Sequence, residues 1–302
     1  MKLPPDIHQI RFPINPEVWG SFFALVGDTI SLVDAGPSSC GFEILTDYFL
    51  SENLDLQILH SLVLTHSHYD HAGGASFLKA WDPGLLLIAL KETAVQLQHP
   101  EDQEESAPRV LVHRIVKDGE MVLLGGRKWK VLNTPGHVPG LLSLFDEDRK
   151  ILLATDALQG NGTIDGIPIY SDLRAYYSSI DRIEDMAPEM IIVSHPFEPD
   201  QKPFYTGKDV QYFLSSCRDA AEKLTARILD ILGESRSGIT AKDLTEKIRA
   251  ERHCRSSWFY TLRSISAHLK WLEEEASIRC IPASPLSSHT DPEIKVCHWA
   301  LS

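Results

Sequence analysis

The most informative stretch of this chain is Leu62-Val63-Leu64-Thr65-His66-Ser67-His68-Tyr69-Asp70-His71. It begins as the end of an apolar run, which predicts a buried strand, and continues with three histidines and a carboxylate within six positions. Packing does not explain these residues, because each imidazole needs polar partners and the chain leaves the sheet here for a loop. Side chains two apart in such a turn can converge on one point while the next pair faces a second. The pattern therefore predicts two neighbouring metal sites.

Three further ligand-type residues come after other predicted strands. His137 lies in a turn constrained by glycine and proline, whereas Asp156 and His195 each end an apolar run. Imidazole nitrogen and carboxylate oxygen are ligands that zinc, iron and manganese all accept. Several strand ends with such residues reinforce one another, so we expect them to meet.

The organisation of the chain changes near residue 212. Residues 1–212 alternate short apolar runs with turns and occasional helical stretches, which indicates a mixed sheet-and-helix layer fold. Residues 213–302 have the periodicity of helices followed by two short strands, which is the order of a winged helix. We predict two domains with these bounds. In the last predicted helix, His268 is expected at the surface.

The charge of the chain is uneven. Lys and Arg total 29 and Asp and Glu total 42, which gives a formal charge of −13. Counted separately, residues 1–212 carry −14 and residues 213–302 carry +1. This weighs against a surface that grips phosphate backbones throughout, since such binding needs clustered Lys and Arg. A basic stretch within residues 242–270 leaves nucleic acid open as a partner of the second domain.

Targeting and membrane signals are not visible in the sequence. The first residues have no basic region followed by an apolar stretch, and no run approaches the ~18–20 apolar residues of a membrane span. The five cysteines form no CxxC pair, so reduced thiols in a cytoplasmic protein are expected. No membrane partner is predicted.

Taken together, these residues resemble the metallo-β-lactamase superfamily over about residues 8–200. The resemblance rests on motifs in that family's order and approximate spacing: Thr29–Gly36, His66-x-His68-x-Asp70-His71, Gly136-His137, Asp156 and His195. It implies an α/β fold, the αβ/βα sandwich, with a metal site at one edge of the two packed sheets.

The resemblance also implies roles for individual residues. His66, His68 and His137 would hold a first metal ion, Asp70, His71 and His195 a second, and Asp156 would bridge both. Zinc is the first choice for the two divalent ions, with iron and manganese as alternatives. A metal-bridging hydroxide would then attack the substrate, oriented by Asp70 as the catalytic residue. Asp34 would either accept a hydrogen bond from a ligand histidine or cap its turn.

The last predicted helix resembles the last helix of the winged-helix domain that follows the catalytic domain in one branch of this superfamily. That branch contains thioester hydrolases and β-lactamase-like protein 2, an endoribonuclease. We therefore expect a dinuclear hydrolase of a small-molecule thioester, ester or lactone. The alternatives are a metal-dependent endoribonuclease acting on single-stranded RNA and a non-enzymatic protein that senses a ligand or mediates interactions. A homodimer is also open, because aromatic residues crowd the second domain.

Overall fold

The computed structural model describes residues 3–100, 107–164, 166–235, 238–282 and 297–302. Two six-stranded sheets lie at its centre. In spatial order, the strands of the first sheet are β1 (Ile7–Pro13), β2 (Trp19–Val26), β3 (Ile30–Val33), β4 (Leu59–Val63), β5 (Leu86–Leu90) and β6 (Arg114–Val116). Strands β1 to β3 are antiparallel, whereas β3 to β6 run parallel. A short 3-10 helix, Leu56–Ile58, precedes β4.

The second sheet is antiparallel except at one pair. Its strands, in spatial order, are β12 (Phe204–Thr206), β11 (Met190–Val193), β10 (Ile151–Thr155), β9 (Leu142–Asp146), β8 (Arg127–Asn133) and β7 (Met121–Leu124). Strands β10 and β11 run parallel. Parallel neighbours end at the same edge of a sheet, so the residues after β10 lie beside the residues after β11.

Each sheet has one face toward the other sheet and one face toward helices. Along β10, Ile151 and Leu153 pack between the sheets, whereas Leu152 and Ala154 pack against helices. This alternation is the period of two that a strand imposes on its side chains. The helices against the first sheet are α1 (Ser38–Ser51), α3 (Ala75–Trp81) and α4 (Lys91–Gln98), and those against the second are α5 (Leu173–Met186) and α6 (Lys208–Glu234). The predicted αβ/βα sandwich is confirmed.

The C-terminal region is built on the second half of α6. Its further elements are β13 (Ile239–Thr240), α7 (Ala241–Arg252), α8 (Trp258–Glu274), β14 (Ile278–Pro282) and β15 (Cys297–Leu301). These strands form a third sheet in the order β13-β15-β14. The predicted boundary between residues 212 and 213 lies within α6, and both the division into domains and the winged helix stay predictions. None of the described helices, the 27-residue α6 included, is long and apolar enough to cross a membrane.

Two expectations about single residues in this region are wrong. His268 is buried and not at the helix surface. One side of α8 packs against α6, and another side lies near α5. Cys280 is disulfide-bonded, so not all five cysteines are reduced, although Cys40 and Cys217 are free thiols.

Candidate metal centre

The histidine-rich motif changes from extended chain to helix between its second and third histidines. After β4 the chain remains extended through His68 (φ −61°, ψ 148°) and then forms α2 (Tyr69–Ala72), a single turn. The carbonyl of His68 accepts from the backbone N–H of both His71 (3.1 Å) and Ala72 (2.9 Å). This turn brings His71 back toward His66 and His68, and all three imidazoles are buried.

Two glycines allow α2 to pack closely against the loop after β3. A Cβ on Gly73 would lie 2.3 Å from the carbonyl oxygen of Tyr69 and 2.7 Å from the backbone nitrogen of Ser38. A Cβ on Gly74 would lie 2.3 Å from the carbonyl oxygen of Ala35. Neither backbone oxygen can move aside as a flexible side chain could. The two glycines therefore set how closely the motif approaches the sheet.

The other predicted site residues come from the second sheet. Gly136 adopts φ 136°, and a Cβ there would lie 2.5 Å from the Cα of Tyr176, so only glycine fits the turn that presents His137. Asp156 directly follows β10, and His195 follows β11 after one residue. Because β10 and β11 are parallel neighbours, these two side chains meet at one edge of the sheet.

Three histidines form a first cluster of ring nitrogens. His68 Nδ1 lies 3.1 Å from His66 Nε2 and 3.0 Å from His137 Nε2. All three side chains are buried. The nitrogens of this first triad lie close enough together to share one cation.

A second cluster contains His71, His195 and Asp70. The Nε2 atoms of His71 and His195 are 3.2 Å apart, and Asp70 Oδ2 lies 3.7 Å and 3.4 Å from them. Asp156 Oδ2 lies 3.4 Å from His71 Nε2, 3.3 Å from His195 Nε2 and 3.7 Å from His137 Nε2. Asp156 therefore touches both triads. The structure brings together all seven residues that the sequence proposed as ligands.

The outward-facing nitrogens of four of the five histidines are held by fixed partners. The contacts are His66 Nδ1 to Thr65 Oγ1 (3.0 Å), His71 Nδ1 to Asp34 Oδ2 (2.8 Å), His137 Nδ1 to the carbonyl of Ile169 (3.0 Å) and His195 Nδ1 to the carbonyl of Trp19 (3.2 Å). Such contacts fix ring orientation and leave the inward nitrogen as an acceptor, which is what a metal ligand requires.

Asp34 accepts a hydrogen bond from His71, one of the histidines proposed as ligands. Besides His71, it accepts from the backbone N–H of Thr65 (2.8 Å) and from the Thr65 hydroxyl (2.8 Å). Asp34 is fully buried and has a positive φ of 65°. These bonds join the loop after β3 to the histidine motif.

The protonation of the site depends on burial and neighbouring charge. Burial lowers the pKa of His66 and His68 well below the ordinary value, and the adjacent imidazoles act in the same direction. Both rings are therefore neutral and can offer a lone pair. Burial opposes ionisation of Asp156, but His195 and His71 hold the pKa of its carboxyl well below the usual range.

One carboxylate oxygen at the centre lacks a partner. Asp156 Oδ1 is buried and has no hydrogen-bond partner in the described part of the chain. A buried, ionised oxygen without a donor is costly unless a cation lies beside it. Together with the neutral rings of His66 and His68, this oxygen makes the donor set fit divalent metal ions.

A cavity of about 540 Å³ opens above the two clusters. Its floor includes His68, Asp70, Asp156 and His195, and Tyr69 lies at its side with 43% of its surface exposed. Apolar side chains form much of its wall, namely Ile14, Val18, Ile167, Ile169 and Phe197. The C-terminal region closes it with Arg255, Ser256, Ser257 and Tyr260.

Sequence reasoning missed two residues that contact the site. Gln159 Nε2 lies 2.6 Å from His137 Nδ1, and its Oε1 accepts from the backbone N–H of Ile169 (2.7 Å). Arg263 of α8 lies 3.2 Å from His68 through its Nη1. Neither stands in a motif, and Arg263 is 195 positions from its partner. No local pattern in the sequence could have revealed them.

Known proteins resemble this chain in sequence and in structure. The chain is 30% identical over 140 residues to "Acyl-coenzyme A thioesterase MBLAC2" of Homo sapiens, a match that covers 41% of this chain and 50% of the relative. It is 25% identical over 312 residues to "Probable metallo-hydrolase YqjP" of Bacillus subtilis, which covers 90% of this chain and 94% of the relative. The chain thus spans about half the length of the thioesterase.

The fold is shared with a solved structure. The metallo-beta-lactamase family protein TTHA1429 of Thermus thermophilus superposes with a TM-score of 0.74 at 20% identity, over 100% of both chains. The family described as "Metallo-beta-lactamase superfamily" matches residues 24–195, and this segment contains every proposed ligand. Because the match covers more than half of the chain, the chain belongs to the metallo-β-lactamase superfamily.

Proposed function

We propose that this protein is a dinuclear metal-dependent hydrolase of a small-molecule thioester, ester or lactone. The observation that carries the proposal is the convergence of seven ligand-type side chains, five of which line one cavity. In the proposed arrangement, His66, His68 and His137 hold one ion, Asp70, His71 and His195 hold the other, and Asp156 contacts both. Zinc is the proposed metal, with iron and manganese as alternatives that suit the same donors.

The protein's own residues would prepare the substrate and move protons. Two divalent ions would supply Lewis-acid activation of water and of the carbonyl oxygen under attack. Asp70 lines the cavity with 30% of its side chain exposed, so its carboxylate can accept a proton from the attacking water. It would return that proton to the leaving sulfur or oxygen as the acyl bond breaks. Asp34, Thr65 and the carbonyl of Ile169 keep the histidines oriented meanwhile.

The cavity supports an acyl compound as the substrate. Its apolar wall can bury a hydrocarbon portion, and the reacting carbonyl would lie over the polar floor. The relative named as an acyl-coenzyme A thioesterase favours a thioester among the three bond types.

The test is a hydrolysis screen with full-length protein loaded with zinc or manganese. The panel contains an acyl-coenzyme A, an aryl ester, a lactone and single-stranded RNA. We expect cleavage of a carbonyl substrate and a rate reduced at least about a hundredfold in Asp70→Ala, the loss typical of an acid–base residue. Metal content, measured in parallel, separates loss of the metal from loss of the proton acceptor.

Asp28→Ala, on an exposed turn of the same sheet, is the matched control and should retain wild-type rates. If wild-type protein is no faster than Asp70→Ala on any carbonyl substrate, the proposal fails. Cleavage of RNA alone, with steep dependence on salt, would support the endoribonuclease alternative instead.

A further inference from the structure

Arg263 is a cation from the C-terminal region that reaches the histidine cluster. It lies on α8, it is partly buried, and its Nη1 is 3.2 Å from His68 Nε2. Its guanidinium carbon is 5.8 Å from the centre of the Tyr260 ring, which lines the cavity. The guanidinium group therefore lies next to the proposed reaction site, although it comes from the C-terminal region and not from the sandwich.

Once His68 Nδ1 binds a cation, His68 Nε2 cannot accept a hydrogen bond from the Arg263 guanidinium group. Its Nδ1 faces His66 and His137 at 3.1 Å and 3.0 Å, so Nδ1 is the atom that offers a lone pair to the first triad. A neutral imidazole that ligates through Nδ1 carries its proton on Nε2. Arg263 Nη1 and His68 Nε2 are then both donors and cannot bond to each other.

Arg263 also lacks a carboxylate partner. Arg255, which lines the cavity, pairs with Glu17, whereas no Asp or Glu of the described residues forms an ion pair with Arg263. A guanidinium group is always charged in proteins and has donors arranged to match two oxygens at once. Its unmet requirement is for an anionic acceptor beside His68 and Tyr260, two residues that line the cavity.

The charge of the loaded site favours the same conclusion. Two divalent ions and Arg263 would face the carboxylates of Asp70 and Asp156, with Asp34 behind His71. Positive charge exceeds negative charge in this arrangement, so the site attracts an anion. The apolar wall of the cavity takes the uncharged remainder of the same molecule.

We propose that Arg263 binds an anionic oxygen group of the substrate, a carboxylate or a phosphate, beside the first histidine triad. The inference rests on the proposed hydrolase function and specifies its substrate class: an acyl compound that carries such a group as well as an apolar portion. Arg263 is then a specificity residue supplied by the C-terminal region.

Anion binding tests this role without any turnover. Zinc-loaded full-length protein is titrated by calorimetry with glutarate and, separately, with inorganic phosphate, which distinguishes the two anion classes. We expect Arg263→Gln to reduce the affinity for the preferred anion at least about tenfold, the loss expected for a charge-assisted hydrogen bond. Lys270→Gln, which removes a charge from an exposed position on the same helix, is the matched control and should bind as the wild type does.

Two outcomes would overturn the proposal. In one, Arg263→Gln binds both anions with wild-type affinity. In the other, the variant loses its zinc, which would mean that Arg263 supports the histidines rather than the substrate. Zinc content is therefore measured for every variant before titration.

A pair of substrates provides a second, independent measurement. The thioesters of N-acetylcysteamine with succinate and with butyrate differ in one carboxylate at the far end of the acyl chain. The ratio of their kcat/KM values should fall at least about tenfold in Arg263→Gln and stay constant in Lys270→Gln. An unchanged ratio in Arg263→Gln would contradict the proposal. If neither thioester is cleaved, the hydrolase function is in question for thioesters, while the anion titration still decides the role of Arg263.

Discussion

His268 illustrates how burial alters the chemistry of a single residue. Its Nδ1 lies 2.9 Å from Thr225 Oγ1, and the Thr225 hydroxyl itself donates to the carbonyl of Ala221. His268 Nδ1 is therefore the donor, and Nε2 keeps its lone pair. Nε2 is buried with no partner among the described residues, so a proton there would be a buried charge. Burial accordingly lowers the pKa of His268 to about 3.

This residue should make the protein less stable as the pH falls. Below pH 6.5 the unfolded chain takes up a proton on His268 that the folded chain refuses until about pH 3. Unfolding therefore becomes easier as the pH drops through 6.5, by about 2 kcal/mol at pH 5 from this residue alone. Urea unfolding at pH 7 and pH 5 measures this effect. Between the two pH values, the free energy of unfolding of His268→Gln should fall by about 2 kcal/mol less than that of the wild type.

The exposed histidine His60 offers a control for that measurement. His60→Gln should lose as much stability between pH 7 and pH 5 as the wild type does, because its side chain lies in solvent in both states. Equal pH dependence in the wild type and His268→Gln would show that the buried imidazole is not responsible.

At the residue scale, the sequence predicted those site residues that have distinctive chemistry and lie close together along the chain. Four ligand-type residues within six positions are recognisable anywhere, and Asp34 was a candidate with two possible roles because it follows a strand in a turn. Arg263 and Gln159 could not, since arginine and glutamine are common and their contacts join distant parts of the chain. His268 was misplaced because a helical pattern does not reveal that two faces of the helix are covered.

At the scale of elements, α2 depends on close backbone contacts. Gly73→Ala would place a Cβ 2.3 Å from the Tyr69 carbonyl oxygen, so the turn that presents His71 would have to open. We expect this variant to lose about 2–4 kcal/mol of stability, in the range of strongly destabilising substitutions, and to bind less divalent metal. Thermal unfolding and metal analysis would measure both effects.

Gly233, near the end of α6, is the matched glycine. A Cβ there would lie 3.6 Å from Leu301 Cδ1, which is ordinary contact, and the position is helical. Gly233→Ala should therefore stabilise the protein by about 0.5–1 kcal/mol, because alanine loses less backbone entropy than glycine in a helix. A Gly73→Ala variant as stable and as metal-rich as Gly233→Ala would contradict the proposed packing of α2.

Element positions were predicted better than element ends. The apolar runs of β4, β10 and β11 indicate buried strands, and the sequence of residues 172–186 predicts a helix, which the structure has as α5 over Leu173–Met186. The run 110–116 was expected as one strand, but only Arg114–Val116 pairs with β5. Apolar content marks burial, whereas strand length depends on how far the neighbouring strand extends.

At the scale of the whole molecule, α6 joins two hydrophobic cores. Its first half packs Phe213 and Cys217 against the second sheet, and its second half packs Ile228 and Ile231 against α7 and α8. Phe213 stacks on Tyr205 of β12 with ring centres 3.8 Å apart. Melting either core would remove the support of one half of a continuous helix, so the two cores should unfold together.

Calorimetry of the full-length chain should therefore give a single transition whose calorimetric and van't Hoff enthalpies agree. Hydrogen exchange measured by mass spectrometry provides the complementary test, with peptides of α8 and of β10 opening at the same denaturant concentration. Two separate peaks, or α8 exchanging well before β10, would contradict this coupling.

The origin of Arg255, Tyr260 and Arg263 in the C-terminal region affects the order in which the protein matures. A ribosome delivers residues in sequence, so every proposed ligand from His66 to His195 emerges before α8 is synthesised. The partners that orient the histidines, such as Trp19, Asp34 and Ile169, also emerge by then. The groups proposed to hold the metal ions are thus complete while one wall of the cavity has yet to be made. With the proposed role of Arg263, the growing chain acquires selectivity for substrate only after the groups proposed to bind metal are complete.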